Sequence, residues 1–218
     1  MVGLVTVLIL GQAKVSKPAP AVFSDSQVRR TVEQARAAFA RLGSTGVTIT
    51  TDGESKTYAL SSGKLAARQR GSQWRFQNKS LVLQCSKGLF QGRMGPYNIN
   101  AWLSKVGSSP EVVPIQILAK KNPVDALVIP GSRVRKVGAM QEKGVWVDLI
   151  EVKTARLKVS MGIRRDNHLF ANLAAVNTDK NGETLFSSER SFTWSKPNSA
   201  LFNVGAGKTP KPIKSLAK

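Results

Sequence analysis

One cysteine and one histidine in 218 residues remove whole classes of chemistry from consideration. Cys85 has no second thiol with which to close a disulfide within the chain. With His168 as the only imidazole, neither a structural zinc site nor a Cys/His catalytic pair has enough ligands. Cys85 ends the alternating run Leu81, Leu83, Cys85 and reads as a small apolar core residue, and His168 reads as a surface side chain at a strand start. Acidic residues are also scarce: 13 Asp and Glu face 33 Lys and Arg, a formal charge of +20. Such an excess speaks of attraction to anionic surfaces rather than of fold. The cations are spread along the chain with no recognition helix and no aromatic RNA-binding signature, so a solvated basic surface is expected in place of a nucleic-acid groove. No apolar run is long enough to span a bilayer as a helix, which takes about 20 residues. The longest at the start, Val2 to Leu10, ends in Gly11-Gln12-Ala13, small residues of the kind a signal peptidase reads. Residues 1–13 are therefore expected to be a signal peptide, although its basic n-region is missing, and residues 14–23, with Pro18 and Pro20, an extended leader.

What is abundant is period-two alternation. Leu157, Val159, Met161 and Ile163 share one face of an extended chain and Lys158, Ser160 and Arg164 the other. The pattern returns with Leu169, Ala171, Leu173 and Ala175, and again with Phe186, Phe192 and Trp194 after the Asp179-Lys180-Asn181-Gly182 turn signal. Upstream, Val47–Thr51 and Lys56–Leu60 flank the hairpin signal Asp52-Gly53, and Lys64–Arg70, Gln73–Gln77, Leu81–Cys85 and Leu89–Arg93 follow at short intervals. Arg133–Met140 and Val145–Val152 resume the series, and the last is apolar on both faces, which predicts a central strand. Short polar breaks between strands mean antiparallel neighbours and one wide sheet.

Two stretches read as helical cover for that sheet. Ser24-Asp25-Ser26-Gln27 has the form of a capping box with Ser24 as N-cap, Val28, Val32, Ala35, Phe39 and Leu42 recur at helical spacing, and Gly43 is a natural stop. In the middle, Asn100–Val106 places Trp102, Leu103 and Val106 at helical spacing, and Asn122-Pro123-Val124-Asp125-Ala126-Leu127 puts proline just inside a capped helix start. Short helices here read either as a flap over the open face or as ordinary loop. The tail 205–218, rich in lysine with Pro210 and Pro212, is expected to be disordered.

No catalytic constellation emerges. Gly207-Lys208-Thr209 lacks the glycine that opens a phosphate-binding loop, with Phe202 in its place. Ser61-Ser62-Gly63-Lys64 has Ser-x-x-Lys spacing inside a hairpin turn rather than at a helix start, and Asp148 and Glu151 fall on opposite faces of one strand. The chain is expected not to be an enzyme and to need no cofactor or metal.

A capped helix, an antiparallel meander, a helical interruption and long strands closing at a Pro-x-x-x-Leu-Phe element form an order that resembles the LolA-like family of periplasmic lipoprotein carriers. The resemblance runs over residues 24–204, and its most specific pieces are Ile-Gln-Ile-Leu-Ala-Lys-Lys-Asn-Pro-Val-Asp-Ala-Leu (Ile115–Leu127) and Pro197-Asn198-Ser199-Ala200-Leu201-Phe202. It implies a mainly β (α+β) fold, a curved antiparallel sheet forming an incomplete barrel under an N-terminal helix and short central helices, in one domain. It implies an exported, envelope-located, monomeric carrier or binder of lipid or lipoprotein acyl chains, with anionic membrane surface as a further partner. Relatives that act as envelope sensors leave open a regulatory domain binding a protein partner, and the charge leaves open a polyanion binder. Candidate cavity or lid residues are Phe39, Trp74, Phe76, Trp102, Leu103, Leu127, Trp146, Met161, Phe186, Phe192 and Trp194, each of which reads equally as plain core packing.

Overall fold

Among the described residues four hairpins turn on a residue-glycine pair, as at Asp52-Gly53 (φ 51° and 77°) and Lys143-Gly144 (φ 50° and 80°). Two successive positive φ values give the tight turn whose twist matches that of the flanking strands, and glycine takes the second position without a Cβ clash. The computed structural model describes residues 19–77, 80–93, 112–155, 157–178, 183–205 and 207–212. Within them the alternating segments become strands β2 (Thr45–Thr51), β3 (Glu54–Ser61), β4 (Lys64–Gln69), β5 (Ser72–Gln77), β6 (Ser80–Cys85) and β7 (Gly88–Arg93). A second series follows: β8 (Arg133–Glu142), β9 (Val145–Lys153), β10 (Leu157–Arg164), β11 (Phe170–Thr178) and β12 (Thr184–Ser195).

Each series is an antiparallel meander, and β12 pairs with β2 to weld the two into one sheet of the order β1-β8-β9-β10-β11-β12-β2-β3-β4-β5-β6-β7-β13. The sheet does not close. Its ends are two short parallel strands, β1 (Val22–Phe23) on β8 and β13 (Lys211–Pro212) on β7. The fold is therefore mainly β, an incomplete barrel with helical cover. Two expectations change. Strand β9, apolar on both faces, is flanked on both sides but lies third from one end of the sheet. The tail also contributes structure, since Lys211 and Pro212 stand in register with Phe90 and Gln91.

Helix α1 (Ser26–Arg41) lies on the inner face with Val28, Val32, Ala35 and Phe39 buried. Its N-cap is Asp25 rather than Ser24: the Asp25 carboxylate accepts from the Val28 amide, and Ser24 donates its hydroxyl to Asp25. A carboxylate at the positive end of the helix is the stronger cap. The Val28 amide hydrogen bond, followed by the Ser24 hydroxyl, holds the Asp25 pKa below its ordinary value. At the other end Leu42, in extended backbone, closes the helix and donates to the Phe39 carbonyl, so Gly43 is not needed in a left-handed conformation.

The second helix, α2, is Val112–Leu118, and it packs on β3 and β4. The expected helix at 122–127 is instead a tight turn, held by Val128 N–H to the Val124 carbonyl and by the Asn122 carboxamide oxygen accepting from the Val124 amide. Asn122 also donates to the Arg36 carbonyl, and Arg36 pairs with Asp125 at 2.7 Å, so this turn is anchored to α1. The expected helix at Asn100–Val106, the signal segment 1–13 and the turn at Asp179–Gly182 lie outside the described residues.

The core lies between the helices and the inner face: Val47, Ile49, Tyr58, Leu65, Ile150, Met161, Ile163 and Phe170 are each essentially inaccessible. The outer face has a smaller cover. A 3-10 turn, Ser199–Asn203, inserts Leu201 between Ala59 of β3 and Ala66 of β4, and Val204 meets Val82 and Leu89. Gln73 and Arg75 donate to the Leu201 and Phe202 carbonyls, fixing this Leu-Phe element to β5.

Candidate functional site

Beneath α1 the inner face is filled. The Phe39 ring lies 4.7 Å from that of Phe170 and 5.7 Å from that of Trp194, edge-on, and Phe192 stacks on Trp194 at 6.1 Å. Offset and edge-to-face rings at these distances are the preferred packing of aromatic quadrupoles. Met161 is fully buried beside them. Four of the candidate residues, Phe39, Met161, Phe192 and Trp194, thus form packed core.

The inner face beyond α1 differs. Register places Tyr58, Ala67, Trp74, Leu83 and Phe90 in one cross-strand row over β3 to β7, and Leu60, Leu65, Phe76, Leu81 and Gly92 in the next. Along the first row Tyr58 and Ala67 are buried, whereas Trp74, Leu83 and Phe90 are only half-buried, as is Leu81 in the second. The Lys56 ammonium sits 6.0 Å from the Trp74 ring centre, over its face. An apolar strip therefore extends outward from the core along β5 to β7.

A cleft of about 400 Å³ opens near this strip, between the end of α1, the β3–β4 turn and α2. Leu42, Leu60, Ile117 and Leu118 form its apolar wall, and Lys64 and Lys120 stand among the polar residues that line it. Lys120 holds φ 55° just after α2, the left-handed residue that ends the helix.

The two carboxylates of β9 stand on opposite faces, as alternation requires. Asp148 lies in a second cleft, of about 390 Å³, with Gln27, Arg30 and Gln34 of α1, Arg165 and His168. It accepts from Arg165 and pairs with Lys136, both at 2.7 Å. Burial pushes the Asp148 carboxyl up, but the hydrogen bonds from Arg165 and Lys136 outweigh it and hold the group below its ordinary range. Glu151, on the outer face and only 4% exposed, accepts from Arg135 at 2.7 Å and pairs with Lys158 at 3.1 Å. The Arg135 hydrogen bond depresses its pKa, burial opposes this, and Lys158 adds to the depression. Both carboxylates neutralise neighbouring cations. Among the described residues no group of three or more His, Cys, Asp and Glu side chains gathers as a metal site would require.

Of the other candidates, Trp74 and Leu127 pack at the margin of the core and Phe76 is buried against the inner face. Trp146 stands apart: it shares a face with Ile150 but lies beyond the helix, half exposed, with the Arg165 guanidinium 5.4 Å from its ring centre. Trp102, Leu103 and the Phe186 side chain lie outside the described residues. Leu81 and Leu83 read from sequence as strand alternation and Leu42 as part of the helical stripe, not as site residues; Phe90 falls within the expected strand Leu89–Arg93, and Ile117 and Leu118 within the Ile115–Leu127 motif.

No family model matches the chain, and no curated protein matches it. Solved structures do. MucB aligns with a TM-score of 0.46 at 11% identity, over 87% of this chain and 66% of its own, so this chain spans less than two thirds of that protein. LprF from Mycobacterium bovis aligns with a TM-score of 0.48 at 13% identity, over 80% of this chain and 97% of its own. A LolA superfamily protein from Nitrosomonas europaea aligns with a TM-score of 0.29 at 8% identity, over 80% of this chain and 96% of its own.

Proposed function

We propose that this chain is a non-enzymatic binder or carrier of lipid or lipoprotein acyl chains, working in the cell envelope after export. The reading rests on one observation above others: inner-face side chains are buried under α1, yet Trp74, Leu81, Leu83 and Phe90 on β5 to β7 are only half-buried. An acyl chain asks for little more than such a strip, because each buried methylene contributes about 0.8 kcal/mol. No polar motif is needed, in keeping with a sequence that has no catalytic constellation. The neighbouring cleft suits an amphiphile. Leu42, Leu60, Ile117 and Leu118 take the apolar part, and Lys64 and Lys120 face an anionic or polar head.

Native mass spectrometry with lipid extraction, on protein purified from its own envelope without detergent, tests the reading. A stoichiometric acylated species supports it and names the cargo class. A clean apo mass, together with failure to take up a fluorescent fatty acid, overturns it in favour of a regulatory domain that binds a protein partner.

A further inference from the structure

On the outer face, at the β1 edge of the sheet, register brings like charges together. Arg133 of β8 stands directly opposite Lys153 of β9, and Lys153 directly opposite Lys158 of β10. The next row adds Arg135, opposite Glu151. Like charges in directly opposed cross-strand positions oppose strand pairing. Among the described residues Glu151 is the only carboxylate set among these four cations, and it is already shared between Arg135 and Lys158. Among the described residues neither Arg133 nor Lys153 has an ion-pair partner. Both line a cleft of about 280 Å³ whose other walls are Arg135 and Glu151.

Exposed apolar side chains stand at the start of β8, where this cationic row begins. Val22 of β1 is in register with Arg133, which puts it on the same outer face, and it is 61% exposed. Ile129, 37% exposed, lies in the turn whose Ser132 amide bonds back to the Ile129 carbonyl, and Val22 donates to the Ser132 carbonyl. An uncompensated cationic row beside two exposed aliphatic side chains complements the surface of an anionic bilayer, where phosphates lie just outside hydrocarbon.

We propose that this corner of the outer face docks on a membrane rich in anionic phospholipid, with headgroup phosphates against Arg133 and Lys153 and with Val22 and Ile129 seated between the headgroups. The face is opposite the one that carries the acyl-binding strip, so docking does not depend on that strip being occupied.

Co-sedimentation of the full chain with vesicles tests this, using phosphatidylcholine alone and phosphatidylcholine with about one third phosphatidylglycerol, at about 0.15 M salt and again at about 1 M. The expected result is binding to the anionic vesicles only, lost at high salt. Arg133→Glu with Lys153→Glu should weaken it by at least about thirtyfold, the effect of losing two basic side chains at such a surface. Arg41→Glu with Lys121→Glu, an equal charge change on exposed residues of the helical side, should stay within about twofold. Val22→Ser with Ile129→Ser should weaken vesicle binding while leaving the binding of a short DNA duplex unchanged. Thermal melting confirms that each variant is folded, and Lys153→Glu alone, which sets a carboxylate opposite both Arg133 and Lys158, is expected to melt no lower than the parent. Equal loss in the two charge variants would overturn the proposal in favour of diffuse attraction. So would DNA and vesicle binding that fall together in the first variant with no effect of the serine pair, which would mark a polyanion site, and so would binding to uncharged vesicles.

Discussion

The indole Nε1–H of Trp194 donates to the backbone carbonyl of Phe170 at 2.7 Å. The last β11–β12 ladder pair at this end is Asn172 with Ser191, so the indole bond continues the attachment of the two strands past the point where backbone pairing stops. It also fixes the ring against which Phe39 of α1 packs. Phe39→Ala should therefore lower unfolding free energy by about 3–5 kcal/mol in a urea titration. Trp146→Ala, at a half-exposed ring with the Arg165 guanidinium over it, should cost less than about 1 kcal/mol.

Uptake of a fluorescent fatty acid separates the two parts of the inner face. Leu81→Gln with Leu83→Gln should reduce probe affinity by about ten- to a hundredfold, since each half-buried leucine loses roughly half of the 1.5–3 kcal/mol of a fully buried one. Met161→Ala, in closed core, should lower the melting temperature and leave probe affinity per folded molecule unchanged.

Acid sensitivity has a definite sign. Asp148 and Glu151 both have folded-state pKa values depressed below their ordinary 3.8 and 4.5. Their contribution is thus complete above those values and is lost as pH falls through the lower, folded ones. The melting temperature should be flat from about pH 8 to 5 and fall below about pH 4. Glu151→Gln should melt lower at neutral pH, where Arg135 and Lys158 lose their shared charge partner, and should show a shallower acid decline.

Two strand glycines should respond unequally to alanine. A Cβ at Gly46 would lie 2.6 Å from the Lys196 carbonyl oxygen, a backbone atom that cannot move without shifting the end of β12. At Gly162 the obstacle is the Asn172 side chain, which can swing outward. Gly46→Ala should cost about 1–3 kcal/mol by chemical denaturation, and Gly162→Ala less, with Asn172→Ala restoring part of the loss.

The strands were legible because one face is buried: wherever a strand carries Leu157-Val159-Met161-Ile163 or Trp74-Phe76, period two is written in the residues themselves. Helix α1 was legible for the same reason at period 3.6. Its cap moved by one residue because Ser24 and Asp25 are both competent and only the geometry of the Val28 amide selects between them. The middle helix was misplaced because Asn122-Pro123 is good N-terminal chemistry, but the Asn122 side chain is spent on Val124 and on Arg36, a partner 86 residues away. Helix α2, with Pro114 inside it and two β-branched residues at its start, is held by burial of Val113 and Ile115 rather than by propensity. The cationic row of the outer face was not legible at all. Arg133, Lys153 and Lys158 are unremarkable polar positions in sequence and become neighbours only once strand register is known.

The short end strands bear on how such a wide, unclosed sheet avoids recruiting further sheets. An exposed edge is a template on which a second chain can polymerise through its own backbone amides. Val22–Phe23 occupies the start of the β8 edge and Lys211–Pro212 part of the β7 edge. Along the remainder of β8 an incoming strand would meet Arg135 and Lys136 and then the irregular step between Lys136 and Gly138, where the hydrogen-bonding rhythm is broken. Residues at 22–23 and 211–212, far apart in sequence, thereby act as chain terminators of the sheet and guard its open margins against fibril growth.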